Sequence, residues 1–159
     1  MILNDQQTTF NTEFYEVPVH HNAALTSVEV AQLWNSYMHY SMLSCIITHF
    51  EANAKDPEIK SLMKEGLERC QVRVKISSDL LKGDNQPIPV GFSAEDVNIN
   101  APALYADNYL LHYFRHMLRF SFTMNSFNLN LLSRPDVRDF YIKCFESSLR
   151  LKIKLDDLA

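Results

Sequence analysis

The side chains able to do chemistry are few and scattered. His112 and His116 stand four residues apart, the spacing at which two imidazoles on one helix face can share a metal ion. They sit among Arg115 and Arg119, whose positive charges oppose a cation, so they read as surface residues. Glu65 and Glu68 have the spacing of a ligand pair, but a helical wheel places both away from the apolar stripe of their helix. With the outward-pointing Asp139 and Glu146, they read as solvated charges. His39 and His49 have no acid three or four residues away on their helix, and His20 and His21 lie in a mobile-looking arm. Cys45, Cys70 and Cys144 are odd in number and far apart, so they read as small core residues of a reducing compartment and not as a disulfide or zinc framework.

Nucleophilic and phosphate chemistry find no better footing. There is no glycine-flanked nucleophile elbow and no phosphate-cradling glycine loop, and the lone Gly91 in Pro-Val-Gly-Phe suits a turn. Ser41, Ser44 and Thr48 make a small hydroxyl strip that either lines a cavity or packs closely while bonding backbone carbonyls, and packing is the favoured reading.

These residues must be positioned by helices. The chain has 159 residues and three glycines, with 47% hydrophobic and 21% charged residues: one globular domain, poor in turn formers. Thr26 with Glu29 forms a capping box, and the first helix runs to about Asn53. Asp56 caps a second helix with Pro57 in its first turn, ending near Lys82. The segment DNQPIPVGFSAEDVNIN cannot remain helical and makes a connection of roughly 17 residues. Asn100 and Pro102 open a third helix lasting to about Leu132, and Arg134-Pro135-Asp136 turns into a fourth that persists to the chain end. Connections that are short, long and short point to an all-α, antiparallel four-helix bundle of ferritin-like connectivity, with a crossover long enough to leave helices two and three parallel, although loop lengths alone permit other packings. The predicted domain spans residues 25–159, preceded by an arm over 1–24.

Helix three carries one polar stripe, from Asn108 through His112, His116 and Arg119 to Asn130, and is otherwise apolar, so it is expected to be the central helix. Helix two points Ile59, Leu62, Met63, Gly66, Cys70, Val74 and Leu81 inward, with Gly66 permitting close helix approach. Helix one is expected to change face: Glu29, Gln32, Ser36 and His39 begin a solvent stripe that Tyr40, Leu43, Ile47 and Phe50 continue with apolar residues. Ile142, Leu149 and Ile153 form a second apolar strip, opposite the inward stripe of helix four. Two uncovered apolar strips call for cover by the arm, through Phe10, Phe14, Tyr15, Val17 and Val19, or by another subunit.

The segments LTSVEVAQLWNSYM (25–38), PIPVGFSAEDVNINAP (87–102) and SRPDVRDFYIKC (133–144) together resemble the bacterial family called domain of unknown function 3231, of endospore-forming Gram-positive bacteria. The resemblance covers about residues 24–159. It implies a ferritin-like bundle likened to spore coat protein F, with no established catalytic residue. Family members often continue into a tail or carry a second copy of the domain, so the resemblance implies a C-terminally truncated copy.

The net charge of −4 with dispersed basic residues gives no footprint for nucleic acid or for an anionic membrane. No run approaches the ~18 apolar residues of a spanning helix, and the N-terminus lacks a basic start, which points to the cytoplasm, or to the forespore or spore coat if the resemblance holds. The expected function is a non-enzymatic structural or interaction protein, associated with sporulation on the strength of the resemblance. It has no expected metal or other cofactor, no specified small-molecule ligand, and self-association or a second copy of the domain as its partner. The alternative is a ferritin-like metal protein or oxidase, but such sites use Glu-x-x-His pairs and none occurs.

Overall fold

The computed structural model describes residues 23–158, and positions 1–22 of the arm, with its aromatic residues and His20 and His21, lie outside them. Four long helices carry the fold: α1 (Ser27–Asn53), α2 (Pro57–Gly83), α3 (Asp107–Leu129) and α4 (Pro135–Asp157). Their ends follow the local chemistry of the chain. Thr26 Oγ1 accepts from the Glu29 amide while the Glu29 carboxylate accepts from the Thr26 amide, the reciprocal capping box that starts α1. Asp56 accepts from the amides of Glu58 and Ile59, and Pro57 and Pro135 occupy first turns where a missing N–H costs nothing. Beyond α2, Asn85 takes a left-handed φ of 54° and Gln86 N–H bonds back to the Leu81 carbonyl, which stops the helix.

The third helix begins later than the sequence predicts. Asn98 to Ala101 form a side-chain-supported turn, and α3 starts at Asp107, whose carboxylate accepts from the amides of Lys55 and Asp56. The α1–α2 loop, reaching across in space, supplies the partners that fix this start. The same contact puts the start of α3 beside the start of α2. The Glu29 carboxylate accepts from the amides of Ser133 and Arg134, which puts the α3–α4 loop beside the start of α1. Helices α2 and α3 are therefore parallel, and the crossover, residues 84–106, runs the length of a bundle about 40 Å long. One 3-10 turn, Ala94–Asp96, interrupts it.

Helices α1 and α2 pack along their lengths, and α3 packs on α4. A Cβ on Gly66 would collide with the Phe114 ring, so the close approach expected at this glycine is real and involves α3. The central-helix expectation for α3 is corrected: Tyr109, Phe120 and Phe127 on it are 46–57% exposed.

The buried apolar residues form two separate clusters. One, at the end where α1 finishes, contains Tyr40, Leu43, Ile47, Phe50, Leu62, Met63, Phe114 and Leu155. The other, at the end where α1 starts, contains Leu25, Leu33, Leu81, Val137, Phe140 and Tyr141. Tyr40, Leu43, Ile47 and Phe50 were expected outside the core, and this is corrected: all four are buried within the monomer. The reason lies in the residues before them. Glu29, Leu33, Ser36, Tyr40, Leu43, Ile47 and Phe50 recur at steps of four and three and are all buried, so they form one inward seam. Helix α1 does not change face; its inner seam merely begins with polar residues that have partners.

Candidate functional site

Three features compete for function: a polar layer inside the bundle, an apolar strip on α4 and a cavity under the crossover. The polar layer separates the two apolar clusters. Arg73, buried on α2, donates through Nη2 to the Cys144 carbonyl at 2.9 Å and to the hydroxyls of Ser148 and Ser147 at 3.0 and 3.3 Å. Its guanidinium carbon lies 4.8 Å from the centre of the Tyr40 ring. None of these partners is a carboxylate. Ser36 and Tyr141 share a 2.5 Å hydrogen bond, and Tyr141 also donates to the Gln32 carbonyl at 2.8 Å. Arg73 Nε, Ser77 Oγ, Asn125 Nδ2 and Asn128 Oδ1 are buried with no hydrogen bond among the described residues. Burial pushes the Cys70 and Cys144 thiols up to about 12 and about 11, against the pull of Arg73, so both stay neutral.

The expected site residues fall as follows. His112 and His116 are exposed, and Arg115 beside them pairs with Asp156 at 2.8 Å. Glu65 is not the solvated charge expected: it pairs with the buried Arg69 at 2.5 Å and with Lys154 at 2.9 Å, tying α2 to α4. His39 is half-buried with Nε2 3.4 Å from Ser121 Oγ, and burial, then Arg73, lower its pKa. All three cysteines are free thiols. Among the described residues, no three His, Cys, Asp or Glu side chains gather as a metal-ion site. Ile142, Leu149 and Ile153 are 38%, 45% and 55% exposed, an apolar strip along the outside of α4.

The cavity was legible only as the hydroxyl strip. The crossover is fastened to α1 at three points: Trp34 Nε1 donates to the Pro87 carbonyl at 2.8 Å, the Phe92 amide donates to Ser41 Oγ at 3.2 Å, and Cys45 Sγ donates to the Ser93 carbonyl at 3.1 Å. A Cβ on Gly91 would lie 2.5 Å from Tyr37 Cε1 and 2.9 Å from Ser41 Oγ, so only glycine lets the roof approach this closely. Beneath it is a cavity of about 400 Å³, walled by α1 and α2 and including Ser41, Ser44 and Thr48. The favoured packing reading is corrected: Ser44 and Thr48 line the cavity, and of that reading only the bonding to backbone carbonyls holds, to Tyr40 and Ser44, each at 2.8 Å. Burial, then the Asp96 carboxylate, push the Cys45 thiol up and keep it neutral.

Two pairs of helices joined by a bundle-long crossover define an all-α four-helix bundle protein. The chain belongs to the family described as protein of unknown function DUF3231, whose family model matches residues 14–159. A putative spore coat protein from Bacillus halodurans C-125 has a similar crystal structure, with TM-score 0.77, 16% identity and coverage of 86% of this chain and 89% of that one. A DUF305 fragment from Deinococcus radiodurans is also similar, with TM-score 0.70, 13% identity and coverage of 86% and 97%. At these identities the likeness is one of fold. No curated protein matches the chain in sequence. No described helix is long and apolar enough to cross a membrane.

Proposed function

We propose that the protein is a non-enzymatic structural or interaction protein that presents its helical surfaces to a second copy of itself, in a spore-associated setting. The observation that carries the reading is the α4 strip. Ile142, Leu149 and Ile153 stay exposed on a helix whose other apolar face is fully used by the core. A two-fold pairing would bury the strip against its own copy, the commonest closed arrangement. Phe120 and Phe127 on neighbouring α3 add exposed apolar surface. The spore setting, in the forespore or coat with a cytoplasmic origin, is supported by the family and by the fold shared with the Bacillus halodurans protein.

The ferritin-like metal protein or oxidase is the weaker reading on a positive ground. At mid-bundle, where such proteins gather carboxylates, this chain buries the Arg73 guanidinium, which repels a cation. Sedimentation across micromolar concentrations tests the proposal: the parent protein associates, and Leu149→Glu yields a monomer that remains helical. A parent that is monomeric throughout refutes it. Stoichiometric iron in protein purified without chelator would restore the alternative.

A further inference from the structure

We propose that the cavity beneath the crossover binds an uncharged, polyhydroxylated small molecule of mono- to disaccharide size. Its volume, about 400 Å³, lies within the range of small-molecule sites. The two walls differ in hydrogen-bonding character. On α1, the hydroxyl protons of Ser44 and Thr48 are committed to helix carbonyls, so their oxygens offer lone pairs to an occupant. On α2, the Gln71 amide and Ser78 hydroxyl line the cavity with no hydrogen bond to any described residue, and they can donate as well as accept. The charge on the same wall, Lys75, is paired with Asp79 at 2.6 Å.

An anion would find one wall of acceptors and a cation already paired. A hydrocarbon would leave the Gln71 amide and the Ser78 hydroxyl without partners. A sugar hydroxyl both donates and accepts, so a ring bearing several satisfies both walls, while its C–H faces meet the rings of Tyr37 and Phe92. The roof is held close by the Gly91 contact and the Phe92–Ser41 bond, so the cavity exists before an occupant arrives.

The test is nuclear magnetic resonance titration of the isotopically labelled full chain with glucose and with trehalose, alongside citrate and cyclohexanol. The expected result is saturable shifts of the Ser44, Thr48, Ser78 and Phe92 amides with at least one sugar in the millimolar range, and none with citrate or cyclohexanol. Thr48→Val, which keeps the shape and removes the acceptor, and Ser78→Ala each weaken sugar binding about fivefold, with unchanged helix content and melting. Absence of saturable shifts with both sugars overturns the proposal. So does binding of citrate or cyclohexanol at these amides, or equal sugar affinity in the parent and both variants.

Discussion

Of the three arginines buried among the described residues, Arg69 is paired with Glu65, while Arg134 and Arg73 are held in opposite ways. At the end where α1 starts, Arg134 pairs with Asp136 through two bonds at 2.7 and 2.9 Å and with Asp84 at 2.5 Å. Asp84 also accepts from the Leu25 amide, and the adjacent Glu29 carboxylate collects the Thr26, Ser133 and Arg134 amides. Each charge in this clasp has opposite charge or aligned N–H groups around it. At mid-bundle, Arg73 has hydroxyls, a carbonyl and an aromatic face, but no acid. The clasp joins the start of α1, the root of the crossover and the α3–α4 loop, so its pairing closes the topology. The mid-bundle layer joins helices that the apolar clusters already hold together.

The largest effect that sharpens this contrast comes from breaking the clasp. Arg134→Ala leaves Asp84 and Asp136 buried without their cation and is expected to cost about 3–5 kcal/mol in denaturant unfolding. Leu43→Glu belongs in the same class, because Leu43 is a core residue, and it is expected to unfold the chain where Leu149→Glu leaves a helical monomer. A folded Leu43→Glu protein would return the α1 seam to the surface.

That reversal shows what the sequence could and could not disclose. Two helix starts were legible to the residue, because Thr26 with Glu29 and Asp56 with Pro57 act through neighbours in the chain, and Arg134-Pro135-Asp136 marked the turn into the fourth helix. The parallel course of α2 and α3 followed from loop lengths. The start of α3 was not legible, because Asp107 is fixed by amides some fifty residues earlier. The α1 seam was misread because Glu29 and Ser36 are buried with partners from α4 and its loop, while Val28, Trp34 and Met42 leave apolar residues on the outer side too. Arg69 and Arg73 are core residues whose charge alone assigns them to solvent. Their spacing carried the signal: Leu62, Gly66, Arg69, Arg73, Ser77 and Leu80 continue one inward register. The cavity could not be foreseen in full, since its roof is a loop whose path depends on Gly91 meeting Tyr37.

Acid titration separates the two regions more finely. Burial opposes the charge on Glu29, but the Arg134, Thr26 and Ser133 amides and the Thr26 hydroxyl outweigh it and hold the carboxyl at about 2, against an ordinary 4.5. A carboxyl lowered on folding stabilises the native state above its unfolded value, so the clasp contribution is complete above 4.5 and is lost as pH falls toward 2. His39, beside the polar layer, is also lowered, from 6.5, by burial and then by Arg73. Its neutral form is the one the fold prefers, so its contribution begins to fall at a higher pH, below 6.5. Stability measured against pH should therefore descend in two stages, with Glu29→Gln flattening the lower one and His39→Gln the upper one. A single descent unchanged by either substitution would mean that neither region titrates as its geometry requires.

The smallest expected effect is the most discriminating. Arg73→Met removes a buried charge that no carboxylate neutralises, and with it a desolvation cost of several kcal/mol that the hydroxyls and the Tyr40 ring only partly offset. The methionine side chain follows the apolar stem of the arginine and adapts to the irregular space beside Cys70 and Cys144. The partners left behind are neutral, whereas Asp84 and Asp136 would be buried carboxylates deprived of the Arg134 cation. Ser147 and Ser148 can turn their hydroxyls onto carbonyls of their own helix. The stacking contact with Tyr40, worth roughly 0.5–2 kcal/mol, is lost, and relief of the buried charge opposes that loss. The net change in unfolding free energy is expected to lie within about 1 kcal/mol of zero, far from the Arg134 value. A loss as large as that of Arg134→Ala would show that the mid-bundle cation is compensated by something beyond its visible partners, and the distinction between Arg73 and Arg134 would fall.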